Sequence, residues 1–302
     1  MTDSGWRTAI FALLAVAGIV GCGQRSAEQT SVDSNEAASA DASGSAFCLM
    51  LRSARERVLV GEPLTLIATL ENCSNDSVAV RDLLDPEYRI LSLLVRRPTG
   101  GDGDYLELAV ARDGRGWGEV TLAPGEMLTA FVPAYFGKSG WQLADEGQYH
   151  FQAEFWIDDL QVDSNAVQVE VSYPGDVPAA DAAEAFMMPQ VAQAYYMNGG
   201  TGSTGLDEIV TAWPDSPHAK YARLALAIEV AANAEQPRVQ ACRRLEEATF
   251  DLNFDWIVAL RALQSLSSCY RRAGMHPESM RVVGDFTERF PEAAKIIDNR
   301  VN

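Results

Sequence analysis

Read from the amino terminus, the rhythm of apolar and polar positions changes three times. Thr8 to Val20 is a run of thirteen residues without a charge, behind a short leader, Met1 to Arg7, that holds one basic residue. That length suits the apolar core of a signal peptide and is too short for an ordinary membrane-spanning helix. Gly23 to Ala46 is Ser, Ala, Gly, Gln, Thr, Asp, Asn and Glu with one Arg, Arg25, and Val32 as its one large aliphatic residue. Such a stretch cannot bury a core and is predicted to stay disordered, as a tether with a reach of roughly 25–30 Å.

Strict alternation begins after the tether. Leu64, Leu66, Ala68 and Leu70 share one face of an extended chain, as do Tyr149, Phe151, Ala153, Phe155 and Ile157, and Val167, Val169 and Val171 repeat the pattern. Turn-forming stretches separate the runs: Gly61-Glu62-Pro63, Asn72 to Asp76, Pro98 to Gly103, Pro124-Gly125 and Asp145 to Gly147. The period of two predicts strands. From Pro174 onward the period becomes helical, over Ala179–Met197, Leu206–Trp213, Ser216–Ala232, Arg238–Thr249, Asp255–Arg272 and Pro277–Phe290. Pro189 is expected to kink or split the first of these, and Asp215-Ser216-Pro217 supplies a helix cap followed by proline. The predicted organisation is therefore a leader at 1–21, a tether at 22–46, an all-β domain at 47–174 and an all-α domain at 175–302.

Composition changes this picture only at its edges. A net charge of −18 disfavours nucleic acid and anionic lipid as direct partners. Of five cysteines, Cys22 stands apart at the end of the apolar run, leaving Cys48, Cys73, Cys242 and Cys269 as an even set suited to two disulfides in an exported protein. Cys48 and Cys73 lie symmetrically about Val60-Gly61, so a hairpin centred there would set them face to face. Each bridge, Cys48–Cys73 and Cys242–Cys269, would close a loop worth about 3 kcal/mol by chain entropy.

Ile19-Val20-Gly21-Cys22 resembles the lipobox of bacterial lipoproteins. The resemblance implies cleavage between Gly21 and Cys22, lipidation of Cys22 and anchorage in the cell envelope. Gly23 is not the Asp that marks inner-membrane retention in enteric bacteria, so in an organism with an outer membrane that membrane, facing the periplasm, is the favoured address. Asp145-Glu146-Gly147-Gln148-Tyr149 has the D-x-G-x-Y form of a tyrosine corner. With Leu122-Ala123-Pro124-Gly125-Glu126 and Ser164-Asn165-Ala166-Val167 it resembles immunoglobulin-like domains, which implies a β-sandwich with a structural role for Asp145, Gly147 and Tyr149. Trp213-Pro214 echoes Phe290-Pro291, and Leu263, Leu266, Tyr270, Val283 and Pro291 resemble the large residues and closing proline of a tetratricopeptide repeat, which implies an array of helical hairpins. Cys242 and Cys269 would staple one such hairpin.

Candidate chemistry is sparse. Gly200-Thr201-Gly202-Ser203-Thr204-Gly205 spells G-x-G-x-x-G but follows a helical stretch outside any βαβ unit, which favours a loop over a dinucleotide site. His150, His218 and His276 are isolated, and no G-x-S-x-G elbow nominates a nucleophile. Asp158, Asp159 and Asp163 are expected to be solvated turn carboxylates, as are Asp102, Asp104, Glu246 and Glu247. If the repeat resemblance holds, Arg261, Gln264, Ser268 and Arg271 form a groove-facing stripe suited to a protein or peptide partner with an acidic or carboxylate group. The expectation is a lipid-anchored interaction or scaffold protein, not an enzyme, without cofactor or metal. The alternatives are an envelope hydrolase with a site of unrecognised form, or a small-ligand or glycan binder using Trp117, Trp141 and Trp156.

Overall fold

Alternation of large apolar residues does set the strands, and the first one shows how. In β1 (Phe47–Ser53), Phe47, Leu49 and Leu51 are buried while Cys48, Met50 and Arg52 face out. The computed structural model describes residues 46–81, 84, 91–100, 104–105, 119–138, 140–157, 160–233, 239–250 and 254–294. Gly21, Cys22, the tether up to residue 45, Asp102, Trp117, Asp158 and Asp159 lie outside the described residues. After β1 come β2 (Arg57–Leu59), β3 (Thr65–Asn72), β4 (Val78–Arg81), β5 (Leu91–Arg96), β6 (Asp104–Tyr105) and β7 (Glu119–Leu122). The remaining strands are β8 (Met127–Pro133), β9 (Phe136–Gly137), β10 (Gly140–Trp141), β11 (Gly147–Ile157), β12 (Leu160–Asp163) and β13 (Val167–Ser172).

Among the described residues these strands form four separate sheets, which corrects the expectation of an immunoglobulin-like sandwich. One sheet runs β1-β3-β8, a second runs β2-β13-β11-β5-β6 with β12 hairpinned onto β11, and β4-β7 and β9-β10 stand as two-stranded pieces. The local chemistry explains the fragmentation. Pro133 ends β8, because proline has no N–H to give a ladder. The segment after β1 leaves its neighbour, so that β2 pairs in parallel with β13 through Val58↔Val171. The first two sheets share a core and are joined by a bridge, Leu49↔Ser164, beside which the Asn165 side chain accepts from Leu51 N–H at 2.9 Å and donates to Leu51 O at 3.0 Å.

The departure of β2 also shifts the first disulfide. β1 pairs antiparallel with β3, putting Cys48 opposite Glu71 rather than Cys73. The Cys48–Cys73 bridge therefore runs diagonally, with Cα atoms 5.9 Å apart, beside the bond from Cys73 N–H to Ala46 O. At the Asp145–Tyr149 corner, the Tyr149 hydroxyl accepts from Asp145 N–H at 3.2 Å, and Gly147 takes φ +133°.

Seven helices follow: α1 (Val177–Met187), α2 (Pro189–Met197), α3 (Ser203–Ala212), α4 (Pro217–Asn233), α5 (Val239–Phe250), α6 (Trp256–Arg272) and α7 (His276–Arg289). Their starts are written in the sequence. Asp176 caps α1 by accepting from Ala179 N–H at 2.8 Å, and Asp255 caps α6 by accepting from Ile257 and Val258 N–H, each at 3.0 Å. Pro189 separates α1 from α2 at Met188. The second disulfide, Cys242–Cys269, is fully buried and ties α5 to α6.

The helices do not form an even tetratricopeptide-like array, a second correction. Their lengths run from 9 to 17 residues, and α2 lies against β9 and β10 instead of stacking only on other helices. The helical region uses much of its apolar face against the strands. Phe131 meets Trp256 at 5.7 Å, Tyr135 meets Tyr195 at 5.7 Å, Phe136 meets Tyr196 at 5.3 Å and Trp141 meets Phe186 at 5.6 Å between ring centroids. One hydrophobic cluster accordingly runs through strands and helices alike. A hairpin whose face is already covered by a sheet cannot offer it to the next repeat.

Candidate functional site

A charged node lies where β2 and its following turn meet α4 and α6. Val58, Val60, Leu64 and Leu66 are buried, and the turn between them is buried with them, so that a carboxylate, Glu62, is only 7% exposed. The turn brings it there. Glu62 N–H donates to Leu59 O at 2.9 Å, and Gly61 adopts φ +79° against α1 and α4, where a Cβ would sit 3.0 Å from His218 Nε2 and 3.2 Å from Ala183 O. Only glycine combines that backbone angle with so close an approach.

Around Glu62 the partners converge from three elements. Its Oε2 accepts from Leu59 N–H at 3.1 Å and from Arg55 Nη1 at 3.2 Å. Its Oε1 accepts from the Tyr221 hydroxyl at 3.4 Å and lies 3.8 Å from Lys220 Nζ. Arg55 in turn donates from Nη1 to the Tyr221 hydroxyl at 3.1 Å, from Nη2 to Pro63 O, and through Nε pairs with Asp255 Oδ2 at 3.2 Å. One guanidinium thus bridges two carboxylates, one from the β2–β3 turn and one from the cap of α6. Lys220 closes the outer side, 4.8 Å from the Tyr221 ring centroid and 5.7 Å from that of Phe254, with its side chain 27% exposed.

The electrostatics follow from this packing. Burial works against the Arg55 charge, but Tyr221, Asp255 and Glu62 outweigh it and its pKa ends raised. Burial pushes the Tyr221 hydroxyl far above the ordinary phenol range, with Arg55 opposing, so it remains a proton donor. His218, fully buried beside the turn, donates from Nε2 to Val60 O at 2.8 Å, since a carbonyl can only accept. Burial lowers its pKa, with the Val60 carbonyl and Glu62 pulling the other way, so the ring is held neutral.

This node corrects the expectation of a chain without catalytic chemistry. A carboxylate shielded from water and ringed by a hydroxyl donor and two cations is a candidate acid–base group. The expected binding stripe is disposed differently. Arg261 reaches into the β–α junction, donating to the Tyr135 hydroxyl at 3.0 Å, Tyr195 O at 2.9 Å and Tyr196 O at 2.5 Å. Gln264 is exposed, while Ser268 and Arg271 are half-buried. The four therefore do not share one open groove, because Arg261 is taken up by α2 and Tyr135.

Other sequence candidates are placed just as plainly. Trp141 packs between Tyr135 and Phe186, and Trp156 is exposed on β11. His150 lies on β11 opposite Arg96 and Gln168, and His276 opens α7 at the surface. Asp163 is exposed and accepts from Gln161 at 2.8 Å. The G-x-G-x-x-G stretch links α2 to α3 as packing: a Cβ on Gly202 would stand 1.9 Å from Gln190 O, and the Gly200 N–H is taken by Glu229 at 3.1 Å. No group of three or more His, Cys, Asp or Glu side chains placed to hold a metal ion occurs among the described residues, and none of the described helices is long and apolar enough to cross a membrane.

Sequence reasoning passed over Glu62, Arg55, Lys220 and Tyr221, and took Asp255 for a helix start alone. Gly61-Glu62-Pro63 reads as a solvated turn when taken alone. The signal was available in the wider window, where apolar Val58, Val60, Leu64 and Leu66 flank the turn on both sides.

No protein-family model matches this chain, and no curated protein sequence matches it. Among solved structures, similarity is found to a β-glucosidase from Erythrobacter marinus, at 13% identity over 41% of this chain and 15% of that one, with a TM-score of 0.26. A β-glucosidase from Listeria innocua is matched at 16% identity over 42% of this chain and 16% of that one, TM-score 0.26. The CARDB domain of a Pyrococcus furiosus protein, in complex with di-metal ions, is matched at 12% identity over 42% of this chain and 94% of the domain, TM-score 0.25. The chain thus spans about one sixth of the glucosidases it matches. Likeness at this level assigns no activity, and the functional reading rests on the node itself.

Proposed function

We propose that the chain is a hydrolase whose acid–base group is Glu62. The observation that carries this reading is the burial of the Glu62 carboxylate against a protonated Tyr221 hydroxyl, with Arg55 and Lys220 beside it. In the proposed reaction Glu62 takes a proton from water as the water oxygen bonds to the electrophilic centre of the substrate. The same proton, or that of Tyr221, passes to the leaving group as its bond breaks. Arg55 and Lys220 face the negative charge that develops, and partial exclusion of water makes their fields strong. Lys220 stands at the wet side of the node and marks the approach for substrate. The apolar leader, the Ile19–Cys22 motif and the two disulfides support placing this activity outside the cytoplasm, at the cell envelope.

The test is hydrolysis by the disulfide-intact chain of a panel of chromogenic glycosides, esters and phosphoesters, with Glu62→Gln and Tyr221→Phe run beside the parent. Turnover of one class that falls by about 100-fold or more in Glu62→Gln supports the reading. Absence of turnover across the panel, or a Glu62→Gln protein that keeps the parent's rate, overturns it. Tyr221→Phe removes one oxygen and guards against a variant that fails only because it unfolds.

A further inference from the structure

A concavity lies away from the Glu62 node, between α5 and the start of α7, with a volume of about 390 Å³. That is the size range of sites for small molecules. Arg243, Glu246, Glu247 and Phe250 line it from α5, at spacings of three and four residues that put all four on one helix face. Tyr270 of α6 forms its floor, and Met275, Glu278 and Arg281 form the opposite wall. The buried Cys242–Cys269 bridge immediately precedes Arg243 on one side and Tyr270 on the other, so the wall and floor are covalently held together.

The charges on this lining are not all satisfied internally. Glu246 accepts from the Tyr270 hydroxyl and from Arg281 Nη2 at 2.7 Å, and Arg281 Nη1 also binds Asp285 at 2.6 Å. Burial and Glu246 push the Tyr270 hydroxyl up to about 12, which keeps it a donor to that carboxylate. Glu246, Tyr270 and Arg281 are thereby committed to one another. Arg243, Glu247 and Glu278 make no hydrogen bond or ion pair among the described residues, which leaves one guanidinium and two carboxylates facing the space. Phe250 and Met275 supply apolar surface between them.

We infer that this cleft binds a free basic α-amino acid. A ligand of that class carries one carboxylate for Arg243 and two cations for Glu247 and Glu278, with an aliphatic chain to lie along Phe250 and Met275. Its charges complement the unpaired ones in number and sign, which a neutral or acidic amino acid does not achieve. A guanidinium matches a carboxylate through two parallel hydrogen bonds, which fixes the orientation of the ligand. This site is separate from the proposed hydrolytic centre and does not depend on it.

Calorimetric titration of L-lysine into the disulfide-intact chain tests the inference. Saturable one-to-one binding is expected, weakened about tenfold or more by Arg243→Gln and by the Glu247→Gln/Glu278→Gln pair, each about 1.4 kcal/mol or more. Norleucine, which lacks the side-chain cation, and L-glutamate are expected to give no saturable heat at the same concentrations. Nα-acetyl-lysine, standing for the carboxyl-terminal residue of a peptide, is expected to bind at least about tenfold more weakly. Absence of saturable binding by L-lysine overturns the proposal, as does binding that survives both sets of substitutions. Equal binding of Nα-acetyl-lysine overturns it in favour of a peptide end.

Discussion

Two half-buried arginines lie at the junction of strands and helices, and they are met in opposite ways. Arg55 is flanked by the carboxylates of Glu62 and Asp255 and by the Tyr221 hydroxyl. Arg261 binds the Tyr135 hydroxyl and two backbone carbonyls, all neutral oxygens. Burial disfavours both charges and their surroundings raise both pKa values, but only the Arg55 node contains carboxylates. The same residue type in the same junction thus fastens two layers in one place and sits beside the proposed acid–base group in the other. What separates the two roles is the charge of the acceptors.

Removing either arginine should separate these roles. Arg55→Ala has the largest expected effect: it leaves Glu62 and Asp255 without their shared cation, costs about 3–5 kcal/mol in urea denaturation and abolishes hydrolysis. Loss of the Cys242–Cys269 bridge, as Cys242→Ala/Cys269→Ala, comes next at about 3 kcal/mol. Because α6 carries both Asp255 and Arg261, this loss should lower thermal stability and loosen both nodes together.

Arg261→Met is expected to cost about 2 kcal/mol, through buried oxygens left without a donor, while hydrolysis per folded molecule stays at the parent's level. A loss of activity out of proportion to the loss of fold would mean that the two nodes are not distinct.

The smallest effect is one of pH. His218 is neutral and buried, with its folded pKa lowered by burial. Below about 6.5 the unfolded chain takes up a proton that the folded chain refuses, so stability falls as pH drops from there towards the lowered folded value, by at most about 1.4 kcal/mol per pH unit. Denaturation of His218→Gln between pH 7 and 5 should show a shallower slope than the parent, and an equal slope would place the sensitivity elsewhere.

The contrast also shows what the sequence makes legible. Strand β11 is readable because Tyr149, Phe151, Ala153 and Phe155 alternate without interruption, and α6 because Asp255 caps a regular apolar face. These are local properties, fixed by residues a few positions apart. How the sheets join is not local. The parallel pairing of β2 with β13 links residues more than a hundred positions apart, and no short pattern announces it. The covering of Arg261 has the same origin, because Tyr135 and Tyr195 reach it from distant parts of the chain. Its helical spacing places it on a face, and only the fold decides that α2 and Tyr135 occupy that face. Glu62 lies between these cases, since the apolar residues flanking its turn from Val58 to Leu66 are visible although its partners on α4 are not.

The most direct test is the ratio of kcat/KM to folded fraction for Glu62→Gln and Arg261→Met, measured side by side on the substrate class the parent turns over. The account predicts that the ratio falls by about 100-fold or more for Glu62→Gln and stays at the parent's value for Arg261→Met. A ratio unchanged in Glu62→Gln, or lowered equally in both, would contradict the assignment of chemistry to the Glu62 node.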